Sequence, residues 1–346
     1  MPLLSGQDPQ ALAQAAQVLA DGGLVAFPTE TVYGLGARAD DDAAAAQIFA
    51  AKGRPADHPL IVHVTDAAAA QAFAATWPPT AQVLAQHFWP GPLTLIVPRR
   101  PGVGTAAAGG HASIGLRCPD HPVALDLLAR ARGLGVLGVA GPSANRFGRV
   151  SPTTAAHVLD EFGPDLPVLD GGPCREGIES TIIDCTRAHP ALLRPGTTPR
   201  AAIEAVLMQA LGAPLMERDE ASPKASGTLA SHYAPEAVVS LLSAEELARR
   251  LATFVADEPQ GAGLAPSPAA AVVGVCIGVY SPAAPPAQAG VLHRTMPGHP
   301  AQVAHELFAV LRQFDAHGVR QIWVQTPPEG PEWDGVRDRL LRAATR

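Results

Sequence analysis

Phe27-Pro-Thr-Glu-Thr-Val-Tyr-Gly-Leu-Gly36, followed after a short alanine-rich stretch by Lys52-Gly-Arg-Pro55, decides how this chain reads. An apolar strand, Leu24–Phe27, stops at Pro28 and gives way to small hydroxyl and glycine positions. The next helix, predicted over Asp42–Ala51, delivers a lysine and an arginine together at its C-terminal end. A strand end, a polar turn and paired cations are the parts from which an α/β protein builds a pocket for an anionic small molecule. The lysine stands out by composition, because Lys52 and Lys224 are the only two among 25 basic residues. In so arginine-biased a chain, a lysine beside an arginine suits a compact point charge rather than a planar fork.

Outward from this stretch, helix-like and strand-like segments alternate. An alanine-rich helix at Gln10–Asp21 closes on Gly22-Gly23. Strands are expected at Leu24–Phe27, Leu60–Val64, Leu93–Val97, Ser113–Arg117, Gly135–Val139, Thr181–Asp184 and Ala191–Arg194. Helices are expected at Asp42–Ala51, Ala67–Ala75, Thr80–Phe88, Pro122–Ala131, Thr153–Phe162 and Arg200–Leu211. That alternation predicts one large α/β domain, residues 1–213, around a twisted mixed sheet. From Pro214 to Ser231 the periodicity dissolves into charge, proline, serine and glycine, and His232-Tyr-Ala-Pro235 follows. Residues 214–236 therefore read as a linker that could serve as a lid. Residues 237–346 read as a small open α/β domain with strands at Val238–Leu242, Val272–Tyr280 and Gln321–Thr326. Its helices are expected at Ala244–Val255, Pro300–His317 and Trp333–Ala343, and Pro259–Ala270 as a loop.

Composition narrows the function classes. At 346 residues the chain has room for two cores, and 47% apolar content fits a globular protein. No run nears the roughly 20 apolar residues of a membrane span. The N-terminus shows no basic flank or apolar signal core, so a cytoplasmic location is expected. Cys118, Cys174, Cys185 and Cys276 lack C-x-x-C spacing and read as buried thiols rather than metal ligands. A net charge of −7 speaks against stable nucleic-acid binding over a broad surface, though not against a small basic pocket.

Four further segments join the opening one. Pro59-Leu-Ile-Val-His-Val64 puts His63 on an apolar strand. Along Ser113-Ile-Gly-Leu-Arg117 the alternation places Ser113, Gly115 and Arg117 on one face. A charge in so apolar a strand requires a partner, either a bound carboxylate or an internal Asp or Glu. Gly141-Pro-Ser-Ala-Asn145 follows an apolar strand and sets a hydroxyl and an amide where open sheets bind ligands, although the same residues favour an ordinary turn. Gly177-Ile-Glu-Ser-Thr181 and Arg194-Pro-Gly196 complete the set. Polar insertions at strand ends with few acids between them fit an anionic ligand better than a metal. Walker A, G-x-G-x-x-G, H-E-x-x-H and G-x-S-x-G sequences are all missing.

These segments, with Trp89-Pro-Gly-Pro-Leu-Thr94 and Ser231-His-Tyr-Ala-Pro235, closely resemble the YrdC family of L-threonylcarbamoyladenylate synthases in its long two-domain form. The resemblance extends to Ala304–Asp315 and Trp333–Ala344 near the C-terminus. It implies a large YrdC-like domain and a small Rossmann-like α/β C-terminal domain. It also implies that L-threonine, bicarbonate and ATP become threonylcarbamoyl-AMP and pyrophosphate. A downstream threonylcarbamoyl transferase would use that product for N6-threonylcarbamoyladenosine (t6A) at position 37 of tRNA. By position, Thr31, His63, Arg117, Gly141 and Ser180 would hold the threonine. Arg54, His58, Ser113, Ser143, Ser151, Arg194 and Tyr233 would hold ATP. Lys52, Arg54, Ser143 and Asn145 would surround the reacting phosphates, with Mg²⁺ arriving on the triphosphate and no metal ligand expected from the protein.

His58 stands where the family often has asparagine, Gly141 where it often has alanine, and Ser226 where it often has proline. The chemistry agrees with the residue types. An N-carboxylate must approach an anionic α-phosphate, and two cations offset that repulsion without a covalent protein nucleophile. The competing reading is an RNA- or nucleotide-binding regulatory protein of the same fold.

Overall fold

The computed structural model describes residues 3–228, 232–254 and 277–345. The chain divides into two compact units, Met1–Phe147 with Ser151–Thr228, and Gly148–Val150 with Leu229–Arg346. Among the described residues no helix is long and apolar enough to cross a membrane.

The first unit is built on a mixed sheet of nine strands. Their order across the sheet is Met216–Glu217, Ala191–Arg194, Thr181–Asp184, Leu93–Pro98, Ser113–Arg117, Ile61–His63, Val139–Ala140, Gly34–Arg38 and Val25–Phe27. Alternation along a strand sends neighbours to opposite faces. Thus Val25 and Phe27 join a core with the helices Pro9–Ala20 and Pro122–Gly133, while Ala26 joins a larger core containing Asp42–Lys52 and Pro79–Phe88. Gly34–Arg38 was not expected as a strand, because its Gly-Leu-Gly run reads as a turn. Conversely, Gly135 takes φ +90° just beyond a helix end, which limits the expected 135–139 strand to Val139–Ala140. The helix expected at 67–75 is a single turn, Ala67–Ala70.

Part of the expected linker lies along this unit. Met216–Glu217 pairs with the strand Ala191–Arg194, Arg187 meets Asp219 at 2.8 Å, Lys224 meets Asp57 at 2.8 Å, and Ala225 is buried.

The second unit carries four parallel strands in the order Val238–Leu242, Gln321–Gln325, Ile277–Ser281 and Val291–Thr295. Helices Ala244–Thr253, Pro300–Ala316 and Asp334–Ala344 accompany them, the small open α/β arrangement expected. Val291–Thr295 is a strand the sequence pattern did not announce. The expected 259–270 loop and residues 272–276 of the expected 272–280 strand lie outside the described residues.

Candidate active site

The cations come first in the chain. Asp41 caps the helix Asp42–Lys52 by accepting from the amides of Ala43 and Ala44, and Gly53 ends it at φ +63°, a left-handed turn that suits glycine. The buried Lys52 ammonium donates to the backbone carbonyls of Ser143, at 2.5 Å, and Asn145. The Gly-Pro-Ser-Ala-Asn loop is therefore fastened to the end of this helix. Phe147 strengthens the link by donating its amide to the Lys52 carbonyl at 2.8 Å. Burial, and then the Arg54 charge, push the Lys52 ammonium well below its ordinary pKa, against the pull of Glu161 and Glu179.

Arg54 donates to the carbonyls of His58 (3.4 Å) and Pro59 (3.0 Å) and to the Ser226 hydroxyl (3.4 Å). Its guanidinium lies 5.8 Å from the Phe147 ring centroid, and the His58 ring lies 5.6 Å from the same ring. Burial and the Arg54 charge lower the His58 pKa. Arg194 donates to the Ser180 carbonyl at 2.8 and 3.1 Å, to its hydroxyl at 3.2 Å and to the Ser226 carbonyl at 3.0 Å. Ser226 thus bridges two candidate cations. Ser151 is fully buried and donates to Glu179 at 2.5 Å.

A second cluster surrounds Arg117. Its Nε donates to the Gly91 carbonyl at 3.2 Å and its Nη1 to the Thr31 hydroxyl at 2.9 Å, while Nη2 lies 2.6 Å from Glu30 Oε1. The partner left open between ligand and internal acid is therefore present within the chain. His63 sits beside Arg117 in strand register. Burial, and then the Arg117 charge, hold its imidazole at about 3, so the ring is neutral at physiological pH. A Cβ at Gly141 would come within 3.0 Å of His63 Nδ1 and of the Phe27 ring. The glycine thus leaves room for the imidazole. Ser180 shares a 2.8 Å hydrogen bond with the hydroxyl of Thr94.

The two clusters lie along one strand pair. Ile61↔Gly115 and His63↔Arg117 are in parallel register, and continuing that register back two residues places Pro59 beside Ser113. Arg54, His58 and Ser113 therefore belong to the opening end of the pair, and His63 and Arg117 to its far end. Ser113 itself makes no hydrogen bond to the other candidates among the described residues. Tyr233 belongs to the second unit, where its ring lies 5.5 Å from that of Phe308 and 5.4 Å from the Arg339 guanidinium. Sequence reasoning did not single out Glu30, Thr94 or Glu179 for roles, although all three lie inside the motifs it quoted. Among the described residues no group of three His, Cys, Asp or Glu side chains is placed to hold a metal.

Comparison with known proteins adds an independent finding. Residues 17–196 match the Sua5/YciO/YrdC family model, which bears the description "Telomere recombination". Residues 198–345 match the family model described as the C-terminal domain of threonylcarbamoyl-AMP synthase. The chain belongs to the threonylcarbamoyl-AMP synthase family. Threonylcarbamoyl-AMP synthase of Bacillus subtilis is 36% identical over 99% of this chain and 94% of its own length. That of Pyrococcus abyssi is 37% identical over 95% of this chain and 93% of its own. A solved structure of Pyrococcus abyssi Sua5 complexed with L-threonine superposes with a TM-score of 0.81 at 33% identity, covering 99% of this chain and 97% of that one. Membership makes this chain an enzyme of the nucleotidyltransferase type in t6A synthesis.

Proposed function

We propose that the first unit joins L-threonine, bicarbonate and ATP into threonylcarbamoyl-AMP, releasing pyrophosphate. A separate transferase then carries the group to adenosine 37 of tRNA in the cytoplasm. The observation carrying this reading is the placement of two chemically different clusters along one strand pair. The amino-acid end has Arg117, Thr31, His63 and Ser180, with Gly141 providing space. The nucleotide end has Arg54, His58 and Ser113. Ser143, Ser151, Arg194 and the loop-bound Lys52 would meet the phosphates. The threonine bound in the Pyrococcus abyssi structure supports threonine as the amino-acid substrate.

Chemically, threonine's amine and bicarbonate give an N-carboxylate, whose oxygen attacks the α-phosphorus as pyrophosphate leaves. An ammonium has three N–H bonds, and Lys52 directs two of them at the Ser143 and Asn145 carbonyls. A bound triphosphate would offset the burial that lowers its pKa, leaving a third N–H for a phosphate oxygen in a loop whose shape the same lysine maintains. Arg54 adds delocalised positive charge nearby, and charge fixed before reaction stabilises what develops on the leaving group. Mg²⁺ would arrive with the triphosphate, held mainly by phosphate oxygens and waters. When bound, it would neutralise part of the triphosphate charge.

The test is pyrophosphate release by the purified chain. Release should require threonine and bicarbonate together with ATP. Equal release without threonine would contradict the assignment.

A further inference from the structure

Buried polar atoms are almost always hydrogen-bonded, so several unpaired ones in one place call for a physical cause. Among the described residues, Glu30 Oε2, Arg117 Nη2 and His63 Nδ1 are buried without a hydrogen-bond partner. Glu30 Oε1 is in ionic contact with Arg117 Nη2 at 2.6 Å, but the two are not aligned as a hydrogen bond. Glu30 is only 1% exposed. These groups share one neighbourhood: Glu30 and Thr31 both touch the Arg117 guanidinium, and His63 is the residue beside Arg117 in the sheet. The result is a buried cluster of a carboxylate, a guanidinium and a neutral imidazole.

We propose that Glu30 accepts the α-ammonium of the amino-acid substrate while Arg117 receives its carboxylate. The cluster thereby selects a zwitterion by both charges. This inference rests on the threonine reading above and adds a residue to it. An arginine alone would take any small carboxylate. With Glu30 beside it, an amine-free acid brings a second negative charge into a low-dielectric space and leaves Glu30 Oε2 unpaired. A zwitterion pairs both groups and adds no net charge. Discrimination against a ligand lacking a hydrogen-bonding group is strongest where the site's own polar group would remain unpaired.

The test is titration calorimetry on the full chain with L-threonine and with 3-hydroxybutyrate, which is threonine without its amine. ATP binding serves as the control for an intact fold. The unaltered protein should prefer threonine strongly. Glu30→Gln should lose threonine affinity on the order of 10- to 100-fold, leave 3-hydroxybutyrate binding unchanged or tighter, and retain ATP binding. If Glu30→Gln does not fold, Glu30→Asp keeps the counter-charge for Arg117 but withdraws it by one methylene. It should show the same selective loss. Equal losses for the two ligands would mean that Glu30 acts only by orienting Arg117, and unchanged threonine affinity would mean that it does not meet the ammonium. Either result overturns the proposal while leaving threonine as substrate. Failure of the unaltered protein to bind threonine would overturn the substrate reading itself, and this inference with it.

Discussion

The two ends of the site balance charge differently. Arg117 is met by a buried carboxylate, whereas Lys52 is held by two backbone carbonyls and, among the described residues, has no acid in ion-pair contact. Arg54 and Arg194 donate to carbonyl and hydroxyl oxygens, with Ser226 joining them. Carbonyl dipoles orient a cation without cancelling its charge. Lys52, held by carbonyls, is therefore the cation a polyanion would meet at the phosphate end, while the pairing of Arg117 with Glu30 brings the amino-acid end close to neutral, as a zwitterion requires. A net charge of −7 for the whole chain conceals this local contrast.

Removing the balance at the amino-acid end should have the largest effect. Arg117→Ala would leave Glu30 as an unpaired buried charge, and breaking such a pair costs about 3–5 kcal/mol of stability. Chemical denaturation should show that loss, with threonine binding abolished even where the fold persists. A fully stable variant that still binds threonine would break the contrast.

At the phosphate end the loss should appear in turnover instead. Lys52→Ala or Arg54→Ala should raise the activation barrier on the order of 2–4 kcal/mol, in the range of a lost oxyanion donor. Steady-state kinetics beside a melting curve would separate the two effects. Near-normal kcat with a collapsed Tm would make the residue purely structural.

Acid sensitivity should be concentrated at the amino-acid end. His63 is held at about 3 in the folded chain against 6.5 for a solvated imidazole, so the unfolded state takes up the proton first as pH falls. Its contribution is fully retained above pH 6.5 and is lost progressively between 6.5 and about 3. By pH 5 the loss should be on the order of 2 kcal/mol. Urea unfolding of the unaltered protein and of His63→Gln at pH 7 and pH 5 measures this, and the variant should lose less between the two.

Much of the site was legible because its signals are local. Lys52, Gly53 and Arg54 announce a helix end with two cations in three residues, and the 141–145 turn follows an apolar strand directly. The Arg117 partner was not legible. Glu30 and Arg117 are distant in sequence, and only the placing of the 113–117 strand against the turn after Val25–Phe27 brings them together. The Gly34–Arg38 strand escaped for another reason, since sheet pairing on both sides overrides what its glycines suggest locally. In the second unit, parallel pairing with Ile277–Ser281 makes a strand of Val291–Thr295, which lacks a clear two-residue alternation.

Salt tests the contrast between the two ends most directly, without any substitution. Screening weakens attraction between a polyanion and a cation, but has little hold on a neutral zwitterion at a buried, internally paired site. Raising NaCl from about 0.05 to 0.5 M should weaken ATP binding roughly 3- to 10-fold and change threonine binding less than about twofold. Calorimetric titration of each ligand at both salt concentrations gives the answer. Threonine affinity falling as steeply as ATP affinity would contradict the account, because Arg117 would then be acting as an uncompensated charge.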